Sequence, residues 1–297
     1  MSGQPFREST EFRYTQLGWG TQKHHAAVTL SFDNLGEAAD LEAGRWPQNQ
    51  ALGDHPSITR VLPKLLKLLE ELGLKATFFV EAINTEMYPA ALETIAAAGH
   101  EIGFHGWRHE KWVNLSRDQE SQIFERGLEA LEKMGIYPKG FRPPGGQITP
   151  ATIELLQKFG FSYCSPAGYY PSIEGQLVIL PFEWKLIDAY FYHWPFKVLR
   201  EVKGDQPEPF SPPELHKALQ AALANIVEKG AFTSLLFHPG MEDDQERFAV
   251  MREILFNLKG LGDSGQVWGV PCCQLAEWML AYPAPFKTAL VLDTTSF

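Results

Sequence analysis

Apolar residues come in short blocks separated by longer stretches with helical spacing. Residues 25–32 (HAAVTLSF) form a short, largely apolar run of strand length that ends at Asp33. Residues 58–72 (ITRVLPKLLKLLEEL) repeat at helical spacing, with Ser57 placed to cap the start and Gly73 the end. The pattern then alternates. Strands are predicted at 75–80 (KATFFV), 100–105 (HEIGFH), 140–144, 177–187, 232–238 and 266–270. Helices are predicted at 89–98, 117–134 (opened by Ser116, closed by Gly135), 149–159, 213–228, 245–259 and 275–280. Strand followed by helix, repeated without a strand-rich block, predicts an α/β fold with a parallel sheet closed or nearly closed into a barrel. An open doubly wound sheet ranks second, because no glycine fingerprint follows the first strand.

Residues 1–24 are polar and read as an irregular N-terminal arm, and 25–297 as a single domain. The proline-rich stretch 204–213 (GDQPEPFSPP) is too short to divide it. The 297 residues are 44% hydrophobic and 21% charged, which excludes disorder, collagen and coiled coil. A net charge of -10 repels phosphate backbones and anionic lipid, so no nucleic-acid or membrane partner is expected. The first 22 residues lack an apolar run of signal-peptide length, and no stretch is long enough to span a bilayer, so a cytoplasmic location is expected. Three cysteines cannot build a disulfide framework, and the adjacent Cys272 and Cys273 have no identifiable base partner for nucleophilic work.

In barrels and open parallel sheets, chemistry gathers at the carboxyl ends of the strands. Asp33, Asn34 and Glu37 follow the first strand, His105 and His109 the third, Arg142 ends the fourth apolar run, Asp188 follows 177–187, and His238 ends 232–238. Spacing four lets His105 and His109 reach one ion from a helical turn, although nine histidines make such a pair unremarkable alone. The joint pattern carries more weight than any member. Trp107, Trp112, Tyr190, Phe191, Tyr192, His193 and Trp194 could wall a sugar ring or an acyl group, but aromatics at this density more often serve a core or a subunit contact. His24 and His25 precede the first strand and lie at its wrong end, and His55 has only its loop position to suggest a role.

Four motifs stand in order: Ser31-Phe32-Asp33-Asn34, His105-Gly106-Trp107-Arg108-His109, Phe141-Arg142-Pro143-Pro144-Gly145 and Leu236-Phe237-His238-Pro239. Together they resemble the polysaccharide deacetylase family (carbohydrate esterase family 4, NodB homology). Residues 180–188 (LPFEWKLID) and 266–269 (QVWG) resemble its branch of allantoinase-like and peptidoglycan-deacetylase-like proteins. The resemblance covers about residues 26–280. It implies a distorted (β/α)7 TIM-like barrel and an amide hydrolase. It places Asp33 as general base beside Arg142, which would orient the carboxylate and hold down its pKa. It places His238 as general acid with Asp188 as the nearby acid. The metal ligands it implies are His105, His109 and the position of Asn34, and the substrate side includes Pro143, Trp107 and Glu37.

Asn34 stands where the family carries a carboxylate, and an amide oxygen is the poorer ligand for zinc. Three arrangements stay open: Asn34 ligates through its carbonyl, Asp33 or Glu37 takes over, or the site works without metal. The leading expectation is a deacetylase of an N-acetylated sugar or small metabolite using a divalent metal, zinc first. A metal-independent hydrolase of a small cyclic amide, and a non-catalytic ligand-binding barrel, are the alternatives. The resemblance also implies homo-oligomeric assembly.

Overall fold

β1 (Ala26–Asp33) is buried at every position, as expected of a largely apolar strand covered on both faces. The computed structural model describes residues 17–295. β2 (Thr77–Val80), β3 (Glu101–Phe104), β4 (Gly140–Phe141) and β5 (Tyr163–Cys164) follow, each preceded by a helix. A short antiparallel hairpin comes next, β6 (Ser172–Glu174) with β7 (Leu177–Ile179), then β8 (Phe232–Phe237) and β9 (Val267–Val270). The sheet runs β6-β7-β5-β4-β3-β2-β1-β8, parallel at every pairing but the hairpin. This is the distorted barrel of the NodB type.

Two features make the barrel irregular. β1 pairs with β8 along one edge through Ala27–Phe32, while its other edge is shared: β9 pairs with Ala26–Thr29 and β2 with Ser31–Asp33. β9 is therefore a wedge at the amino-terminal end. The gap between β7 and β8 is spanned by a single parallel bridge, Ile187 to Leu236. The predicted strand 177–187 is thus corrected. Only Leu177–Ile179 is strand, and after Pro181, which has no N–H for a ladder, the chain turns through a 3₁₀ segment Trp184–Leu186 before Ile187 touches β8.

The helices match their predicted spans closely. Arg117–Glu132 opens with a capping box between Ser116 and Gln119, and Leu62–Leu72 ends at Gly73 with φ +64°. Ser57 is not a cap: it starts a wide turn, Ser57–Val61, and its hydroxyl accepts from the Gly36 amide at 2.9 Å. Of the predicted arm, residues 17–24 carry the bridge Trp19–His24, and the Trp19 indole is buried, donating to Gly230 O at 2.9 Å. Residues 1–16 lie outside the described residues. Among the latter, no helix is long and apolar enough to cross a membrane.

At β4 the backbone must pass beneath an aromatic ring. A Cβ on Gly140 would lie 1.8 Å from Tyr163 Cζ, and that ring is anchored by its hydroxyl donating to Glu101 Oε1 at 2.8 Å. Gly140→Ala is expected to cost on the order of 3 kcal/mol through overpacking, read as a lowered Tm by calorimetry. An unchanged Tm would mean that the ring moves freely.

Candidate active site

Asp33 ends β1 inside the barrel mouth, 3% exposed. Its Oδ1 accepts from Arg142 Nη1 at 2.8 Å. Arg142, at the carboxyl end of β4, is itself 1% exposed and held from several sides. Nη1 also donates to Ser31 Oγ at 2.9 Å, Nη2 donates to Ser165 Oγ at 2.8 Å, and the Phe79 ring lies 4.1 Å from the guanidinium. A buried pair held this way has one geometry. Burial raises the Asp33 pKa above the ordinary carboxylate value, outweighing the lowering by the Arg142 and His238 charges. The expected net lowering by Arg142 is therefore corrected: the guanidinium is in place, but desolvation is the larger effect.

His105 and His109 sit on the loop after β3, not on a helical turn. Their ring centroids are 5.0 Å apart. The loop is shaped by the Glu110 carboxylate, which accepts from the Trp107 and Arg108 amides at 3.0 Å each, and by His109 at φ +70°, unusual for a residue with a Cβ. His105 Nδ1 lies 2.7 Å from Arg142 O. A carbonyl only accepts, so Nδ1 carries the proton and Nε2 keeps its lone pair. Nε2 is 4.0 Å from Asp33 Oδ2. Burial pushes both imidazoles down to about 3, so they are neutral near pH 7, the state in which a histidine ligates a metal.

The carboxylate completing this cluster is Glu81, absent from the sequence-based candidates. It follows β2 directly, and its oxygen lies with nitrogens of His105 and His109 within 4.8 Å of one another. Glu81 is fully buried, and neither carboxylate oxygen has a side-chain hydrogen-bond partner, the backbone amides of Glu81 and Leu35 being the donors near it. Burial, joined by the nearby Asp33 and Glu110 charges, raises its pKa well above the usual value. The signal was legible, since Glu81 is the polar residue ending an apolar run (TFFVE) just as Asp33 ends β1. Asn34 sits beside Asp33 at φ +59°, and its Oδ1 is buried without a partner.

His238 follows β8, next to β1 in the sheet. Its Nδ1 lies 2.6 Å from Asp188 Oδ1, and its backbone amide donates to Asp188 Oδ2 at 2.5 Å. A carboxylate accepts, so Nδ1 carries a proton and Nε2 is the atom left to exchange one. Burial alone would lower the His238 pKa, but Asp188, with a contribution from Asp33, leaves it raised above 6.5. The His238 charge in turn acts on Asp33, His105 and His109.

The remaining candidates divide. Glu37 is buried and accepts from Tyr88 Oη and the Gly53 amide at 2.8 Å each, which fastens the loop before residue 57. Trp107 is buried and stacked by Arg126 at 3.5 Å, so one ring face is taken. Pro143 is buried beside Arg142. Trp112, Tyr190, Phe191 and Tyr192 are core, while Trp194 is 58% exposed. His24 Nδ1 contacts Gly265 O at the far end. His55 shares a hydrogen bond with Ser57 Oγ at 2.7 Å and its ring approaches Gly240, near the His238 loop. Cys272 and Cys273 lie at the amino-terminal end, where their amides donate to Thr77 and Glu101. Burial raises both thiols, Cys272 to about 12, far from the reactive range.

An α/β barrel whose carboxyl-terminal mouth gathers a salt-bridged aspartate, two neutral imidazoles, a carboxylate and a His–Asp pair has the groups that amide hydrolysis uses. Polysaccharide deacetylase is the family whose profile matches, over residues 22–164, and the resemblance to that family is thereby established. The matched region holds Asp33, Glu81, His105, His109 and Arg142 and stops before Asp188 and His238. A peptidoglycan deacetylase of Helicobacter pylori is 34% identical over 103 residues, 34% of this chain and 35% of that protein. Chitin deacetylase 1 of Saccharomyces cerevisiae is 36% identical over 115 residues, 38% of this chain and 36% of the relative. The chain thus spans about a third of these curated relatives. Among solved structures, a Mycobacterium smegmatis protein assigned to the polysaccharide deacetylases superposes with TM-score 0.75 at 28% identity, covering 92% of this chain and 96% of the other. Puue allantoinase shares the fold, with TM-score 0.71 at 19% identity over 89% of this chain and 93% of its own.

Proposed function

We propose that this chain hydrolyses a non-peptide amide, removing an acetyl group from an N-acetylated sugar or a related small metabolite. The observation that carries this reading is the buried Asp33–Arg142 pair, set beside the neutral His105–His109 pair, with the His238–Asp188 pair on the neighbouring strand. Asp33 takes a proton from the attacking water. Arg142 fixes the orientation of that carboxylate, and burial keeps its basicity above that of a free aspartate. His238 Nε2 delivers a proton to the departing nitrogen, while Asp188 holds the ring through Nδ1.

The donor set fits a divalent metal. Glu81 is a fully buried carboxyl with no side-chain hydrogen-bond donor, clustered with two neutral imidazoles, and such a group is costly to bury in its charged form unless something positive sits there. Glu81, His105 and His109 would hold the ion, with Asn34 Oδ1 as a further candidate. A bound divalent metal supplies Lewis acidity toward the scissile carbonyl and makes water more acidic.

Acetate release measured across N-acetylglucosamine oligomers, N-acetylated small amines, cyclic ureides and cyclic imides tests the substrate class. Acetate from the N-acetylated compounds is expected. Ring opening of the cyclic amides without acetate release would overturn the deacetylase reading.

The pH dependence follows from the raised His238 pKa. The acid must be protonated, so kcat/KM is expected to fall as pH rises through that value, which lies above 6.5. Asp188→Asn removes the charge that raises it, so the alkaline limb should move to lower pH. A limb that stays in place would detach Asp188 from the acid.

A further inference from the structure

We propose that Glu242 is a positioning residue that stays protonated and donates a hydrogen bond to Asp188, restraining the basicity of His238. The proposal rests on the reading of His238 as the general acid. Glu242 lies on the single turn Pro239–Asp243 directly after His238, is 2% exposed, and has both carboxyl oxygens buried without a donor. Asp188, another carboxyl and itself 0% exposed, opens the short helix Asp188–Tyr192 that packs against this turn and is bonded to His238 just before it, which brings it within reach of Glu242. Two carboxylates cannot bond to each other, so a hydrogen bond between the two groups requires that one of them keep its proton.

The neighbours decide which one carries it. Asp188 already accepts from the His238 amide at 2.5 Å, from His238 Nδ1 at 2.6 Å and from the Ala189 amide at 2.7 Å, which fixes the negative charge there. No comparable donor serves Glu242. Arg247 is near, but its Nη1 donates to Met241 O at 3.4 Å and its guanidinium lies over the Tyr192 ring at 4.4 Å. Asp244 accepts from the Glu246 and Arg247 amides, and Arg60, on the facing turn, is paired with Asp243. His55 faces Gly240, and Tyr192 and Glu246 complete the titratable groups around this turn. Burial and the adjacent Asp188 charge both raise the Glu242 pKa well above the usual carboxyl value.

A neutral donor on Asp188 draws charge away from the His238 side. Removing it leaves Asp188 with more charge for the imidazolium. Glu242→Gln keeps a neutral donor, and Glu242→Leu removes it at similar volume. The test is the His238 titration, followed by NMR of the histidine-labelled full chain, together with the alkaline limb of kcat/KM. Glu242→Leu is expected to raise the His238 titration by about 1 pH unit, and Glu242→Gln to leave it near wild type. A downward shift in Glu242→Leu would mean that Glu242 is ionised, and no shift would make it mere filling; either overturns the proposal. Should Glu242→Leu not fold, infrared difference spectra of wild type against Glu242→Gln at neutral pH must contain the band of a protonated carboxylic acid, and its absence overturns the proposal equally. A titration that shifts as expected while the alkaline limb stays put would instead refute His238 as the acid and leave the Glu242–Asp188 bond standing.

Discussion

Asp33→Asn is expected to lower kcat by about 10²–10⁴, the range attributed to a positioned base. The substitution is nearly isosteric and isolates the proton chemistry. The asparagine oxygen can still accept from Arg142 Nη1, and Arg142 keeps its bonds to Ser31 and Ser165. An amide cannot take the proton from water. The same change leaves a buried guanidinium without its counter-charge, so Tm should also fall, by the equivalent of about 3 kcal/mol. Activity should therefore be measured well below the melting range, with circular dichroism confirming the fold. Wild-type turnover in this variant would remove Asp33 from the mechanism.

Glu81→Gln is expected to act in opposite directions on stability and on metal binding. Without metal, Glu81 is a fully buried carboxyl that no side-chain donor satisfies and whose charged form burial penalises, so the neutral amide should raise the Tm of the metal-free protein. With zinc, the wild type should gain stability, about 2.7 kcal/mol at a hundredfold excess over Kd. The variant should lose most of that gain as its affinity falls by about 100-fold. Paired melting curves with and without zinc read both effects without any turnover assay. A variant that is destabilised when metal-free and still stabilised by zinc would show Glu81 to be structural.

The strand–helix alternation was legible because each buried strand is a local apolar run and each long helix has local caps, such as Ser116 with Gln119. What stayed hidden depends on distant pairing. The splitting of β1's edge between β2 and β9 depends on pairing with a strand near the other end of the chain, and no local pattern encodes it. Residues 177–187 read as one strand because the run is apolar, yet Pro181 interrupts the ladder. The hairpin β6–β7, turning at Gly175, was missed because its strands are only three residues each.

At the site, residues ending apolar runs were found where a motif drew attention to them. Glu81 obeys the same rule without a motif. Its proximity to His105 and His109 arises because β2 and β3 are neighbours in the sheet, which the order of elements suggests but does not locate to a side chain. The Arg142 environment shows a different limit. Sequence pointed to the guanidinium as the dominant influence on Asp33, whereas the closed packing of Phe79, Ser31 and Ser165 around it makes desolvation the larger one.

The central claim is that Glu81, His105 and His109 form, beside Asp33, the metal-holding part of a single hydrolytic centre. Anomalous diffraction at the zinc edge, from crystals of the full chain grown with zinc, tests it most directly. The expected result is one strong peak enclosed by those three side chains, next to the Asp33 carboxylate. A zinc ion held by other residues, or no peak within that cluster, would contradict it.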